Sequence, residues 1–152
     1  MDPYQEEDTD TIKNIIRCNT EFHGHSKRDW VVVWDSEKLQ KEVYGINQYK
    51  VGQLQLLFSI NQNEHRYNLA YIEWFNIADR ADHETQLPIA TRMKRFSVIE
   101  VSDIVRNIHL IPYFESQNSA ITAKQICQDI YSFKKYLVNP YSDREAWELF
   151  YL

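Results

Sequence analysis

The stretch from Gly52 to Phe75 constrains this chain more than any other. Along Gly52 to Ile60, Leu54, Leu56, Phe58 and Ile60 fall on one side and Gln53, Gln55 and Ser59 on the other. A period of two belongs to a strand with one face buried and one exposed. The polar run Asn61-Gln62-Asn63-Glu64-His65-Arg66 follows, and Tyr67 to Phe75 resumes with aromatic and apolar residues. Strand, polar Asn-rich loop and strand in this order predict an antiparallel hairpin.

Other segments add to that hairpin. Trp30 to Trp34 is a continuous run of aromatic and β-branched residues, the signature of a central strand covered on both faces. Asp35 to Gln48 carries charge and a partial stripe of Leu39, Val43 and Ile46, so it reads as a connecting loop or short helix. Ala78 to Pro88 has no apolar period and ends on a residue that cannot donate to a sheet, which makes it a loop. Phe96 to Val101 reads as a strand, Ser102-Asp103 as a turn, and Val105 to Ile111 as a strand pair or one bent strand stopped by Pro112. Thr122 stands as an N-cap before Ile126, Ile130 and Phe133, whose spacing predicts a late helix of about three turns. Short strands, uneven connections and one late helix predict a mainly β fold: a small, bent β-barrel with peripheral helical turns. Residues 1–27 divide from the rest as a loosely ordered lead-in, acidic to Asp10 and then carrying Ile12, Ile15 and Ile16 at helical spacing. Residues 28–152 form the β domain.

Composition narrows the function classes. At 152 residues the chain fits one domain with a real core, and 43% hydrophobic residues with only 3 Gly and 4 Pro describe a globular protein. A net charge of −5 opposes a protein that holds nucleic acid mainly by neutralising phosphates. Cys18 and Cys127 are too far apart in sequence and too few for a disulfide framework, so reduced thiols and an intracellular location are expected. The acidic start has neither the basic nor the apolar part of a signal peptide, and no apolar run approaches membrane-spanning length, so no membrane partner is expected.

Several blocks together carry a resemblance. Arg28 to Val33, Val51 to Phe58, Tyr71 to Phe75, Phe96 to Val101, Asn107 to Pro112 and Tyr136 to Pro140 resemble the C-terminal region of fungal transposase-like proteins of the Plavaka and KDZ type. The presumed catalytic acids and zinc-binding cysteines that those proteins carry upstream have no counterpart in this chain. The same order is more distantly similar to the bromo-adjacent homology (BAH) domain, through Asp29, Val51 to Phe58, Trp74-Phe75, Val98 to Ile104 and His109. The resemblance implies a BAH-like barrel over residues 28–152 with Tyr136 to Tyr141 as its closing strand, a chromatin or transposable-element context, a nuclear location and a histone tail as a candidate partner.

Candidate site residues follow from chemistry. Strand periodicity sets Ala70, Ile72 and Trp74 on one face and Tyr71, Glu73 and Phe75 on the other. Two aromatic rings beside a carboxylate can hold an alkylated ammonium. The competing expectation is that Tyr71 and Phe75 pack as core while Glu73 pairs with an Arg or Lys. Arg92, Lys94 and Arg95 form the densest basic run and a candidate phosphate contact. Cys18, His23 and His25 offer nitrogen and sulfur ligands but no fourth, so no metal or other cofactor is expected. Asp79, Asp82, His83 and Glu84 gather acids and a histidine on a polar loop, where a catalytic site would need a rigid scaffold. The reading is a non-catalytic module that binds a protein segment, with an accessory nucleic-acid-binding domain as the alternative.

Overall fold

The structure is a computed structural model that describes residues 16, 18–22, 25–38, 43–114 and 130–152. Its elements are β1 (Cys18–Phe22), β2 (His25–Arg28), β3 (Trp30–Trp34), β4 (Tyr49–Gln62), β5 (His65–Ile77), β6 (Ile89–Glu100), β7 (Ile104–Pro112), β8 (Lys135–Asn139) and α1 (Arg144–Tyr151). Short 3-10 turns lie at Gly45–Gln48 and Val101–Asp103. Strands β3 to β8 close into an antiparallel barrel in the order β3-β4-β5-β6-β8-β7. Closure removes sheet edges wherever the ring is complete. Within the stretch read as a lead-in, β1 and β2 pair as a separate two-stranded hairpin, with Cys18 opposite Arg28. Burial pushes the Cys18 thiol above its usual pKa.

β3 is central, as its apolar run predicts. It pairs with β4 on one side and β7 on the other, and Trp30 to Val33 are all buried. Alternation divides its side chains between two apolar clusters. Trp30 and Val32 point into the barrel with Val51, Phe75, Tyr136 and Val138. Val31 and Val33 point outward and pack with Leu54, Ala70 and Ile72, alongside Trp74 and Cys18. β8 closes the ring between β6 and β7, so the closing strand expected near Tyr136 is present.

The β4–β5 hairpin is longer than the sequence indicates. The strands run to Gln62 and resume at His65, leaving Asn63 and Glu64 as the two central turn residues at φ 50 and φ 65. Positive φ at both positions is the pattern of a two-residue type I′ turn, whose twist matches the strands. Simple alternation fails inside β4. Leu54 pairs with Ile72 and Leu56 with Tyr71, so Gln55 is an extra, bulged residue. The bulge turns Leu54 and Leu56 to opposite faces, which corrects the expectation that Leu54, Leu56, Phe58 and Ile60 share one side.

β6 begins at Ile89, not at Phe96. Its charged middle hides the strand pattern, because Trp74 pairs with Arg95 and Phe75 with Arg92, leaving Met93 and Lys94 bulged. The start of the helix expected after Thr122 lies outside the described residues, whereas Ile130 to Phe133 are turn and irregular chain, so no helix runs through Phe133. The α-helix described near the C-terminus is instead α1. Asp143 caps it by accepting from Ala146 N at 2.8 Å, and Ala146 and Phe150 form its buried face. Phe150 packs against the Gly45–Gln48 turn. There Gly45 has φ +63, and a side chain would strike the Phe150 carbonyl. No described helix is long and apolar enough to cross a membrane.

Asp143 also ties α1 to β7. Arg106 donates to its two oxygens at 3.0 and 2.7 Å, and this pairing holds the Asp143 carboxyl below its usual pKa. A carboxylate with a lowered folded pKa contributes stability that is present above the unfolded pKa and lost as pH falls through the folded value. The Asp143→Asn variant should therefore be less stable than the parent at neutral pH and lose less stability on acidification below about pH 4, read by denaturant melts across pH. A second test concerns packing. Gly52 lies under Ile72 and Trp74, with a Cβ position 3.2 Å from the Trp74 ring and 3.3 Å from the Glu73 carbonyl. Gly52→Ala should cost about 1–3 kcal/mol by overpacking, measured as a lowered unfolding midpoint.

Candidate interaction surface

Tyr71, Glu73 and Phe75 do share one face of β5, but that face changes character along the strand. At Glu73 and Phe75 it is the barrel interior, where their exposures are 5% and 3%. At Tyr71 the barrel has ended and the same face is open, with 37% exposure. An ammonium site lined by all three is therefore not open to solvent. Its cation is already supplied from within: the Arg92 guanidinium lies 5.0 Å from the Phe75 ring and pairs with the Glu73 carboxylate. Arg92 also donates to the carbonyls of Phe133, at 3.1 Å, and Tyr131. Gln53, opposite Glu73 in register and buried, completes this polar layer of the barrel.

The basic run is divided by the same geometry. Arg92 is committed to the interior, while Lys94 and Arg95 are exposed beyond it. A phosphate-binding cluster of all three is not assembled. Among the acid and histidine residues of the 78–88 loop, Asp82 is engaged in holding the turn. It accepts from Thr85 N at 2.9 Å, Thr85 Oγ1 at 2.8 Å and Tyr113 Oη at 2.8 Å. The Thr85 backbone bond, with help from Tyr113, keeps its carboxyl below the usual pKa. His83 and Glu84 stand exposed on the rim of a concavity of about 380 Å³ beside Tyr113 and Phe114. Of the cysteine–histidine spacing, His23 lies outside the described residues, and among the described residues no group of three metal-ligating side chains is brought together.

What the fold does build is an open sheet. β8 pairs with β6 only through Ile89 to Thr91, and β3 reaches only as far as Gln53 on β4. Beyond these points β4, β5 and β6 continue out of the barrel as a twisted ribbon; the β1–β2 hairpin lies against the β4 edge, where Arg28 donates to Gln55 Oε1 at 3.0 Å, and among the described strands none pairs with the β6 edge. The face continuous with the barrel interior carries Leu56 paired with Tyr71 and Tyr71 paired with Val98. Leu56 and Val98 are each 52% exposed, and Phe96, at 47%, stacks on Tyr71 with ring centroids 5.5 Å apart. Ile60 and Tyr67, paired nearer the turn, prolong the stripe.

Phe96 and Val98 are the residues that sequence reasoning did not place in a site. Their alternation with Arg95, Ser97 and Ile99 was visible, but nothing in it shows that the strand has left the barrel. On the opposite face Trp74 donates to Ser97 Oγ at 2.6 Å. Near it, Trp34, Lys50, Trp74 and Asp103 line a second concavity of about 500 Å³. Neither a family model, nor a curated protein, nor a solved structure matches the chain.

The Glu73–Arg92 pair is open to a direct test by substitution. Removing one member of a buried pair leaves the other uncompensated, so Arg92→Met should cost about 3–5 kcal/mol. The double variant Glu73→Leu/Arg92→Met removes both charges and should recover part of that loss, measured by chemical denaturation of the two variants and the parent. Equal destabilisation by Arg92→Met and the double variant would mean that the Glu73 carboxylate left behind carries no burial penalty.

Proposed function

We propose that this protein is a non-catalytic interaction module that binds an extended segment of another protein on the open face of β4, β5 and β6. The observation that carries this reading is the exposed apolar stripe of Leu56, Tyr71, Phe96 and Val98. Contiguous exposed apolar surface is costly in water and marks sites that a partner covers. A sheet surface of this kind suits an extended chain, whose alternate side chains meet the rows of the sheet. Charge at the barrel end of the stripe comes from Lys94, and at the far side from Glu100, so a segment with both apolar and charged residues fits best.

The resemblance to transposase C-terminal regions and to BAH domains supports a chromatin or transposable-element setting, and with it a nuclear protein and a histone tail as one candidate segment. Nucleic acid is the weaker reading, because Arg92 is engaged with Glu73 and the chain has a net charge of −5. A displayed library of random extended peptides, with histone-tail peptides included, tests the proposal. Peptides enriched on the parent chain should lose at least about tenfold in affinity against Leu56→Lys, equivalent to about 1.4 kcal/mol, and less against Tyr71→Ala. No enrichment, or equal binding to Leu56→Lys, would remove the proposal.

A further inference from the structure

The edge of the same ribbon has a property that its face does not explain. From Lys94 to Glu100, β6 borders β5 on one side, and on the other no described strand pairs with it. Exposed edges invite strand addition, and proteins usually blunt them with proline or inward charge. Phe96-Ser97-Val98-Ile99 has neither. Its sequence is also complementary to itself read backwards. In an antiparallel pairing of two copies about a two-fold axis at Ser97, Phe96 of one copy meets Val98 of the other, and Lys94 meets Glu100.

Other registers lose this match. Centring on Phe96 sets Val98 against Lys94 and Glu100 against Arg92, which is already held by Glu73. Centring on Val98 sets Phe96 against Glu100. Because opposite residues in an antiparallel pair share a face, the Ser97 register joins the apolar stripes of both copies into one surface. Lys94 stands at the β6 bulge with φ 55, at the end of the open edge, where its long side chain can reach an acid on a neighbouring strand.

We infer that the partner of the β6 edge is a second copy of this chain, paired antiparallel about Ser97 and held by Phe96–Val98 contacts and two Lys94–Glu100 ion pairs. Such a two-fold contact is closed, so it yields a dimer and no fibre. The inference rests on the reading of the ribbon as an interaction surface, but it concerns the edge where the proposed function concerns the face.

Sedimentation equilibrium of the full chain across a concentration series tests it. The parent should associate reversibly to a dimer. Lys94→Glu sets acid against acid and should weaken dimerisation about tenfold or more, while Lys94→Glu/Glu100→Lys should restore it. Val98→Lys should also weaken it, and circular dichroism of each exposed-site variant should match the parent. A monomer at every concentration would overturn the inference, and so would a dimer indifferent to both Lys94→Glu and Val98→Lys. Peptide enrichment by a chain that stays monomeric would overturn the self-pairing alone and leave the proposed function standing.

Discussion

The buried pair of Glu73 and Arg92 marks the boundary between the closed barrel and the open ribbon. It lies where β5 and β6 leave the closed ring, next to the two residues bulged out of β6 at Met93 and Lys94. On the barrel side of this pair, Phe75, Val51 and Tyr136 fill a closed interior. On the other side, Tyr71, Phe96 and Val98 lie on the same face but reach solvent. The guanidinium links three groups at the boundary: the Glu73 carboxylate and the carbonyls of Tyr131 and Phe133. Those carbonyls belong to the chain entering β8, so the pair also fixes the strand that closes the barrel.

Bulges do the complementary work along the strands. One extra residue at Gln55 reverses the facing of β4, so Leu54 joins the outer cluster while Leu56 joins the open stripe. Without it, the stripe would lose Leu56 and gain a glutamine. The fold thus uses local breaks in a two-residue period to let one sheet serve two purposes, ring closure near β3 and β8 and an exposed surface beyond them.

Much of the barrel was legible in the sequence. The unbroken apolar run of Trp30 to Trp34 announced a central strand, and the Asn-rich segment announced the hairpin. The helix α1 was not legible because its eight residues, Arg144 to Tyr151, provide barely two turns of pattern. Its signals, Asp143 at the cap and Ala146 and Phe150 four apart, are visible only in retrospect. The first half of β6 was hidden by Arg92, Lys94 and Arg95, since a charged run reads as surface even where one member is buried against a carboxylate. The candidate face was half legible. Period two correctly set Tyr71, Glu73 and Phe75 together, and pairing of Glu73 with an arginine was one of the two expectations. What alternation cannot encode is where along a strand the enclosing barrel ends, and that point decides which of the three residues meets solvent.

Residue-resolved hydrogen exchange on the dilute chain distinguishes an open ribbon from a covered one. Amides of β5 from Tyr71 to Phe75, flanked by strands on both sides, should be protected to near the level of global unfolding. In β6 from Phe96 to Glu100, alternate amides, those turned away from β5, should exchange close to the rate of unpaired peptide. Uniform strong protection across Phe96 to Glu100 in the dilute monomer would contradict the open edge.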